Sequence, residues 1–286
     1  MAFGFHNTAE DVTEGLDLSG KTFLVTGINS GLGFETVRVL AMRGASIIGA
    51  ARTEAKAAQA LAELGVDGQP IGCELGDLDS VSAAAADVQT SLDGLIANAG
   101  IMALPERVLI RGIEAQFATN HLGHFHLVTS LLDRLAPKAR VVVVASDAHI
   151  KAPDHGIDLD DLGWERGYLP WQAYGASKLA NILFARALSR RLKPGQVANS
   201  LHPGVIQTQL GRHVPDRDAM YARMKRMLKT VEQGAATQCY VATHPREGST
   251  RATYFSQSRR TKAKHPRAED DDLAEALWAH SQALMG

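Results

Sequence analysis

The sequence predicts a doubly wound α/β fold, in which a parallel sheet is covered by helices on both faces. Short apolar runs alternate with longer segments of helical spacing through the first half of the chain, an alternation typical of parallel sheets. A glycine-rich run follows the first apolar segment directly. That order is expected where a strand turns into a helix whose N-terminus binds phosphate.

The 286 residues suffice for one large domain, and the sequence contains neither an internal repeat nor a linker. We therefore expect a single domain over 1–286. A formal net charge of -1 argues against nucleic acid and anionic membranes as partners. The two cysteines, Cys73 and Cys239, lack metal-ligand spacing and predict no disulfide framework, which fits a reducing compartment. Without a signal-peptide pattern or about 18 consecutive apolar residues, we expect a cytoplasmic protein with no membrane span.

Each element follows from apolar runs and their boundaries. Residues 1–20 are polar and glycine-containing and predict a surface extension. The predicted strands cover 22–26, 45–50, 69–73, 95–98, 140–145, 196–202 and 252–255. The predicted helices run from the glycine turn to about 43, then over 54–64, 78–91, 112–136, 172–192 and 232–243, and from about 272. Segment 203–230, rich in Met and Arg, is expected to form a substrate lid, and 231–286 supply the last strand and helices.

The glycine-rich run extends from Thr26 to Gly33 and links the first strand to the first long helix. Glycine permits a tight turn and lets backbone N–H groups approach a pyrophosphate. The spacing is G-x-x-x-G-x-G, which differs from the common G-x-G-x-x-G, and a tight bend without a ligand is the alternative. The predicted cofactor contacts here are Gly27, Asn29, Ser30, Gly31, Leu32 and Gly33.

The second strand is followed by an arginine where NAD-binding folds usually place a carboxylate on the ribose 2′-hydroxyl. Residues 49–52 read Gly-Ala-Ala-Arg. The guanidinium of Arg52 suits a 2′-phosphate, so the sequence favours NADP, with NAD still possible. An ordinary solvated arginine is the other interpretation.

Tyr174 and Lys178 lie four residues apart in the predicted 172–192 helix, so both side chains emerge from one face. A phenol with a pKa of about 10 is a poor acid-base catalyst at neutral pH, and a nearby ammonium favours its phenolate form. Lowering that pKa to about 7 requires roughly 4 kcal/mol of differential stabilisation, more than one lysine readily supplies. A cationic nicotinamide nearby would supply more. By itself the pattern is more often an ordinary helical pair.

In this order along one sheet, the motifs resemble those of the short-chain dehydrogenase/reductase family. The set comprises Thr26 to Gly33, Asn98-Ala99-Gly100, Ser146 and the Tyr174 and Lys178 pair. Longer runs look like the retinol dehydrogenase and WW-domain oxidoreductase branch, among them Thr119-Asn120-His121-Leu122-Gly123-His124-Phe125 and Ser177-Lys178-Leu179-Ala180-Asn181. The similarity implies a single-domain Rossmann fold and an NAD(P)-dependent oxidoreductase.

The resemblance also implies a role for each catalytic candidate. Tyr174 is the general acid-base, and Lys178 lowers its pKa and holds the nicotinamide ribose. Ser146 hydrogen-bonds the substrate oxygen, and Asn120 orders a proton-relay water. Asparagine on the inward face of a helix is otherwise a poor choice for helix stability.

The remaining cofactor contacts likewise come from the resemblance. Residues Asn98, Ala99, Gly100, Pro203, Gly204, Val205 and Thr208 are implied, with Thr208 bonding the nicotinamide carboxamide. Glu74 and Leu75 align where relatives carry Asp-Leu near the adenine. Asp77 is a predicted helix N-cap, and whether Glu74 or Asp77 serves the adenine stays open.

The histidines favour no metal site. His121, His124 and His126 share a predicted helix without a second pair of ligands at a defined spacing, so packing is the preferred interpretation. His149 and His202 either shape a substrate pocket or cap strand ends. The basic run 259–264 is expected to be a solvated loop.

The sequence thus predicts an NADP-dependent oxidoreductase acting on a carbonyl or alcohol group of a small molecule, and the resemblance favours lipophilic substrates. A homo-oligomer is possible. The alternative is a non-catalytic dinucleotide sensor or scaffold that keeps the fold without turnover. Such a sensor has no need for the acid-base group that Tyr174 offers.

Overall fold

A computed structural model describes residues 3–285. The strands are β1 (Thr22–Thr26), β2 (Ser46–Ala51), β3 (Gln69–Gly72), β4 (Leu92–Ala97), β5 (Leu109–Ile110), β6 (Ile113–Glu114), β7 (Leu135–Val144), β8 (Val197–His202), β9 (Val205–Ile206), β10 (Leu228–Lys229), β11 (Tyr254–Ser256) and β12 (Arg259–Thr261). The helices are α1 (Ala9–Val12), α2 (Gly31–Met42), α3 (Glu54–Leu64), α4 (Leu78–Ala86), α5 (Ala115–Phe117), α6 (Gly123–Ser130), α7 (Pro170–Ser189), α8 (Arg217–Arg223), α9 (Val231–Thr243) and α10 (Asp271–Met285).

The central sheet has the strand order β12-β11-β8-β7-β4-β1-β2-β3. Its strands run parallel except β12, which pairs antiparallel with β11 at one edge. The chain winds outward from β1 through β2 to β3, then returns to place β4 on the other side of β1. Where the winding direction reverses, the carboxyl ends of β1 and β4 open a crevice, the usual ligand position in such folds.

Alternate residues of each strand supply two separate cores, one on each face of the sheet. In β1, Leu24 belongs to the core beneath α4, α6, α7 and α10, whereas Phe23 and Val25 belong to the core beneath α2, α3 and α9. Successive side chains of a strand point to opposite faces, so a strand buried on both faces is apolar throughout. The predicted doubly wound fold is confirmed.

The predicted helix over 112–136 is wrong at both ends. Arg111 and Gly112, with φ of 52° and 82°, form the two-residue turn of a hairpin between β5 and β6. Positive φ at both positions is the requirement of a type I′ hairpin turn. The helical stretch begins at Ala115, where the carboxylate of Glu114 accepts bonds from the N–H groups of Gln116 and Phe117. It continues through a π turn, Ala118–Leu122, and ends at Ser130, so β7 begins five residues before its predicted start.

Other boundaries differ less. The predicted helix over 78–91 ends at Ala86, and β4 starts three residues earlier than predicted. The N-terminal extension is more than a surface layer, because Ala9 and Val12 of α1 are buried in the core beneath α9. No helix within residues 3–285 has the length and hydrophobicity needed to cross a membrane.

Candidate active site

A cavity of about 1210 Å³ opens at the carboxyl ends of the central strands. Most predicted cofactor and catalytic residues line it, from the glycine turn through Arg52 and Glu74 to Tyr174, Lys178 and Thr208. Gly33 and Asn120 are the predicted site residues that do not line it. Both lie directly behind residues that line the cavity.

The glycine turn needs glycine for two different reasons. Gly27 and Gly31 have φ of 74° and 58°, the left-handed region that side chains rarely adopt. Gly33 is needed for space, since a Cβ there would stand 2.2 Å from the carbonyl oxygen of Gly27. Ser30, the N-cap of α2, makes no side-chain capping bond within the described chain. The first amides of α2 therefore face the cavity as donors for an anion.

The Thr26 hydroxyl joins the ends of β1 and β4. Its Oγ1 accepts hydrogen bonds from the backbone N–H groups of Asn98, at 2.9 Å, and Ala99, at 3.0 Å. The Asn98 side chain returns a bond from Nδ2 to the Thr26 carbonyl at 2.8 Å. The loop that begins with Asn98 is thereby fixed against the glycine turn.

The same hydroxyl connects the glycine turn to the helix that carries Asn120. His124 Nδ1 lies 3.0 Å from the Asn120 carbonyl oxygen, which can only accept, so Nδ1 carries the proton. Burial lowers the pKa of His124 to about 4, so the ring is neutral and Nε2 is an acceptor. Thr26 Oγ1 donates to that Nε2 at 2.9 Å, much closer than the alternative acceptor, the Ile96 carbonyl at 3.5 Å.

Asn120 is held from three directions. Its Oδ1 accepts from the Ile101 N–H at 2.8 Å, and its Nδ2 donates to the Ile101 carbonyl at 3.0 Å and to Ser177 Oγ at 2.9 Å. Ser177 in turn donates to the carbonyl of Tyr174 at 2.8 Å. The amide therefore ties the loop at Ile101 to helix α7, which gives a reason for asparagine that helix propensity does not show. Its role in ordering a relay water stays a prediction.

Gly123 allows this helical stretch to lie close to the segment after β3, which contains Leu75. A Cβ at Gly123 would stand 2.2 Å from the Leu75 carbonyl oxygen. The π turn directly before it, which includes Asn120, is the kind of local widening often found at functional sites.

Tyr174 and Lys178 share one face of α7, as predicted, with Lys178 Nζ 5.7 Å from the centre of the Tyr174 ring. Nζ donates to the Val144 carbonyl at the end of β7, at 3.1 Å. Burial lowers the pKa of Lys178 to about 8. Burial also raises the pKa of Tyr174 above its ordinary value, and the Ser146 hydroxyl only partly opposes that rise.

In the polypeptide alone, burial therefore outweighs any lowering of the Tyr174 pKa by Lys178, and that role of Lys178 stays a prediction. Both groups are almost fully buried, and removal from water disfavours the charged form of each. Sequence spacing shows that the two side chains are neighbours but does not show how dry their surroundings are.

Ser146 lies at the end of β7 and caps the 3₁₀ turn Asp147–Lys151, its Oγ accepting from the Ala148 N–H at 3.1 Å. Gly175, the residue after Tyr174, lets this turn pack directly on α7. A Cβ at Gly175 would stand 2.6 Å from the Ala152 nitrogen and 2.8 Å from the Ala148 carbonyl oxygen. The small residue thereby places the Ser146 and Tyr174 hydroxyl groups at one point of the cavity wall.

At the opposite end of the cavity, Arg52 forms an ion pair with Glu74 at 3.0 Å, and both side chains are largely exposed. Glu74 lines the cavity, whereas Asp77 caps α4 by accepting from the Asp79 N–H at 3.1 Å. Of these two acids, Glu74 is therefore the one that faces the cavity. Cys73 lines the same end, and burial raises the pKa of its thiol to about 12.

Within residues 3–285, no group of three or more His, Cys, Asp or Glu side chains is arranged to hold a metal. His121 bonds Ser281, and His126 bonds Ser82. His149 is a structural cap that bonds the Ser146 carbonyl and the Lys264 N–H. His202 instead lines the cavity, and its Nδ1 accepts from the Asp147 N–H at 3.2 Å.

Sequence reasoning did not single out several residues of the cavity wall. Lys56 and Arg212 line the cavity together with Arg52, and the apolar part of the cavity wall includes Met102, Trp171, Met220, Tyr221 and Met224. The Met and Arg content of segment 203–230 was the available signal, but it did not indicate which side chains face inward.

A parallel sheet with an anion-binding glycine turn and a buried tyrosine and lysine at the switch point defines a dinucleotide-dependent oxidoreductase. The family model described as short chain dehydrogenase matches residues 21–157. The chain is 40% identical to "Short-chain dehydrogenase TIC 32 B, chloroplastic" of Brassica napus, covering 99% of this chain and 94% of that one. It is 37% identical to retinol dehydrogenase 13 of Homo sapiens, with 94% and 86% covered.

A solved structure of an uncharacterized protein from Mycobacterium Paratuberculosis superposes with a TM-score of 0.80 at 34% identity, covering 99% of this chain and 97% of that one. The chain belongs to the short-chain dehydrogenase/reductase family, and its resemblance to the retinol dehydrogenases is confirmed. It is accordingly an NAD(P)-dependent oxidoreductase acting on CH–OH or C=O groups.

Proposed function

We propose that the protein transfers hydride between NADP and the carbonyl or alcohol carbon of a lipophilic substrate, with Tyr174 as the general acid-base. The observation that carries this proposal is the meeting of Tyr174, Ser146 and Lys178 on one wall of the cavity that the glycine turn opens. A non-catalytic sensor would use the glycine turn but would gain nothing from a buried phenol beside an ammonium.

In the reductive direction, the Tyr174 hydroxyl donates its proton to the substrate oxygen, and the Ser146 hydroxyl stabilises the negative charge developing on that oxygen. The cofactor supplies the hydride. Lys178 keeps two N–H donors beyond its bond to Val144, which suit the nicotinamide ribose. Because burial raises the pKa of Tyr174, the proposal requires added positive charge at the nicotinamide to favour the phenolate in the oxidative direction.

The NADP preference rests on the end of β2. Arg52 supplies a guanidinium, and no carboxylate lies between Ser46 and Arg52 to bond a ribose 2′-hydroxyl. Glu74 pairs with Arg52 and orients it toward the cavity. The proposed preference for lipophilic substrates rests on the apolar wall described above, with segment 203–230 acting as a lid.

Tyr174→Phe tests the catalytic assignment, because it removes only the hydroxyl. We expect turnover to fall by at least about a thousandfold while NADP⁺ affinity changes little, in keeping with the usual contribution of an acid-base group plus its hydrogen bond. Tyr168→Phe is the control, since it removes another tyrosine hydroxyl, bonded to the Leu104 carbonyl away from the cavity. Near-normal turnover by Tyr174→Phe would refute the role.

Arg52→Ala tests the cofactor preference. We expect NADPH binding to weaken by about tenfold, the effect of losing a charge-assisted bond to phosphate at an exposed site, while NADH binding is little changed. Arg166→Ala is the control, because Arg166 is exposed and pairs with Asp158 and Asp161 elsewhere. Equal losses for the two cofactors would contradict a 2′-phosphate contact.

A further inference from the structure

Three cationic side chains, Arg52, Lys56 and Arg212, line the cavity of the candidate active site. Arg52 follows β2, Lys56 lies in the first turn of α3, and Arg212 belongs to the 3₁₀ turn Gln209–His213 of segment 203–230. Among residues 3–285, the carboxylate paired with this group is Glu74, and it pairs with Arg52 rather than with Lys56 or Arg212.

The position of Arg212 follows from the contact between its segment and the glycine turn. The Thr208 methyl group lies 3.3 Å from where a Cβ of Gly31 would stand. Thr208 caps the 3₁₀ turn by accepting from the Leu210 N–H, so the turn starts directly over the glycine turn. Arg212 Nη1 donates to the Gln209 carbonyl at 3.0 Å, which steadies the guanidinium.

The charges of Arg212 and Arg52 are close enough to interact. Burial lowers the pKa of Arg212, and the positive charge of Arg52 lowers it further. Like charges gathered in a partly dry cavity repel one another, and a polyanion between them removes that repulsion. A cationic group with one carboxylate among three cations therefore indicates a binding site for an anion with at least two charges.

We propose that Arg212, with Arg52 and Lys56, forms the pocket for the cofactor's 2′-phosphate. Segment 203–230 then takes part in discriminating NADP from NAD. This inference rests on the proposed NADP preference. The pyrophosphate has its own donors at the N-terminus of α2. Arg52, at the end of β2, lies where the adenosine ribose is held in such folds, so the cationic group belongs to the ribose rather than to the pyrophosphate.

The pocket also connects the cofactor to the substrate end of the cavity. A Cβ at Gly211, the neighbour of Arg212, would stand 2.7 Å from the Tyr221 hydroxyl, and Tyr221 lines the cavity. A phosphate that fixes Arg212 therefore also fixes the surface against which Tyr221 packs.

The test measures Kd values for NADP⁺, NAD⁺ and 2′,5′-ADP by calorimetry with the full-length protein and with Arg212→Gln. We expect Arg212→Gln to weaken NADP⁺ and 2′,5′-ADP by about tenfold and NAD⁺ by less than about twofold, with Arg212→Lys recovering part of the loss. Arg223→Gln on α8 is the matched control, since Arg223 lies in the same segment but outside the cavity lining.

Equal weakening of NADP⁺ and NAD⁺ would overturn the proposal by assigning Arg212 to the pyrophosphate, and unchanged affinities would overturn it outright. Arg52→Ala separates this failure from failure of the NADP preference. If Arg52→Ala loses NADP⁺ selectively while Arg212→Gln does not, only the role of Arg212 fails. If the unmodified protein binds NADP⁺ and NAD⁺ equally, the cofactor preference itself fails.

Discussion

Thr26→Val removes one buried oxygen on which three separate parts of the site depend. Valine has nearly the shape of threonine and fits the same strand, so no cavity is created. The change leaves the N–H groups of Asn98 and Ala99 and the Nε2 of His124 without their partner. Its effect therefore measures hydrogen bonding rather than packing.

The size of the effect follows from the burial of each orphaned group. A buried polar group that loses its partner costs about 1 to 3 kcal/mol. His124 is fully buried, so its Nε2 bears the full cost, whereas Asn98 and Ala99 are only partly buried and water replaces part of each lost bond. We expect the free energy of unfolding to fall by about 3 to 5 kcal/mol, a large share of the usual total of about 5 to 15 kcal/mol.

Urea denaturation followed by circular dichroism measures this loss, and NADP⁺ titration measures the accompanying loss of affinity. Thr22→Val is the matched control, because Thr22 lies at the other end of β1 and its hydroxyl makes no hydrogen bond within residues 3–285. A loss below about 1 kcal/mol for Thr26→Val, or equal losses in both variants, would refute the network.

Two further changes test the catalytic wall. Gly175→Ala forces a Cβ against the turn that follows Ser146. We expect turnover to fall by about a hundredfold or more, the usual effect of misplacing a catalytic group by about 1 Å, while NADP⁺ affinity stays nearly unchanged. Normal turnover would contradict the close approach of the turn to α7. Lys178→Met should abolish turnover yet stabilise the cofactor-free protein at pH 7, by as much as about 3 kcal/mol, because the buried ammonium has its pKa lowered to about 8. The cost of burying the Lys178 ammonium is fully present below pH 8 and disappears as the pH rises toward about 10.5. The gain in unfolding free energy of Lys178→Met should therefore shrink over that range. A gain that does not change with pH would contradict a buried, charged Lys178.

The sheet was predictable because its strands are apolar on both faces and are punctuated by glycine and charged residues. Leu24 belongs to one core and Phe23 and Val25 to the other, so the three central positions of β1 had to be apolar. The helix over 112–136 was mispredicted because Ile113 and Leu135, which belong to strands, continue the helical spacing of the apolar residues between them. Periodicity does not distinguish a helical turn from a hairpin that buries the same residues.

The candidate site was predictable where residue type and order were informative, as for Tyr174, Lys178 and Ser146. The environment of these side chains could not be predicted from the sequence. Whether Lys178 or burial dominates the pKa of Tyr174 depends on water exclusion by residues distant in sequence. Arg212 lies 160 residues after Arg52 in the chain, and nothing in its local sequence marks it as facing the cofactor cavity.

The two buried thiols can be used to measure opening of the cofactor cleft and of the whole domain separately. Burial raises the pKa of both Cys73 and Cys239 to about 12, so at pH 7 both thiols are almost entirely protonated and unreactive. Cys73 lines the cofactor cavity, while Cys239 lies in α9 within the core. The alkylation rate of Cys73 then measures local opening of the nucleotide cleft, and the alkylation rate of Cys239 measures unfolding of the whole domain. Both rates are obtained from the same protein without substitutions.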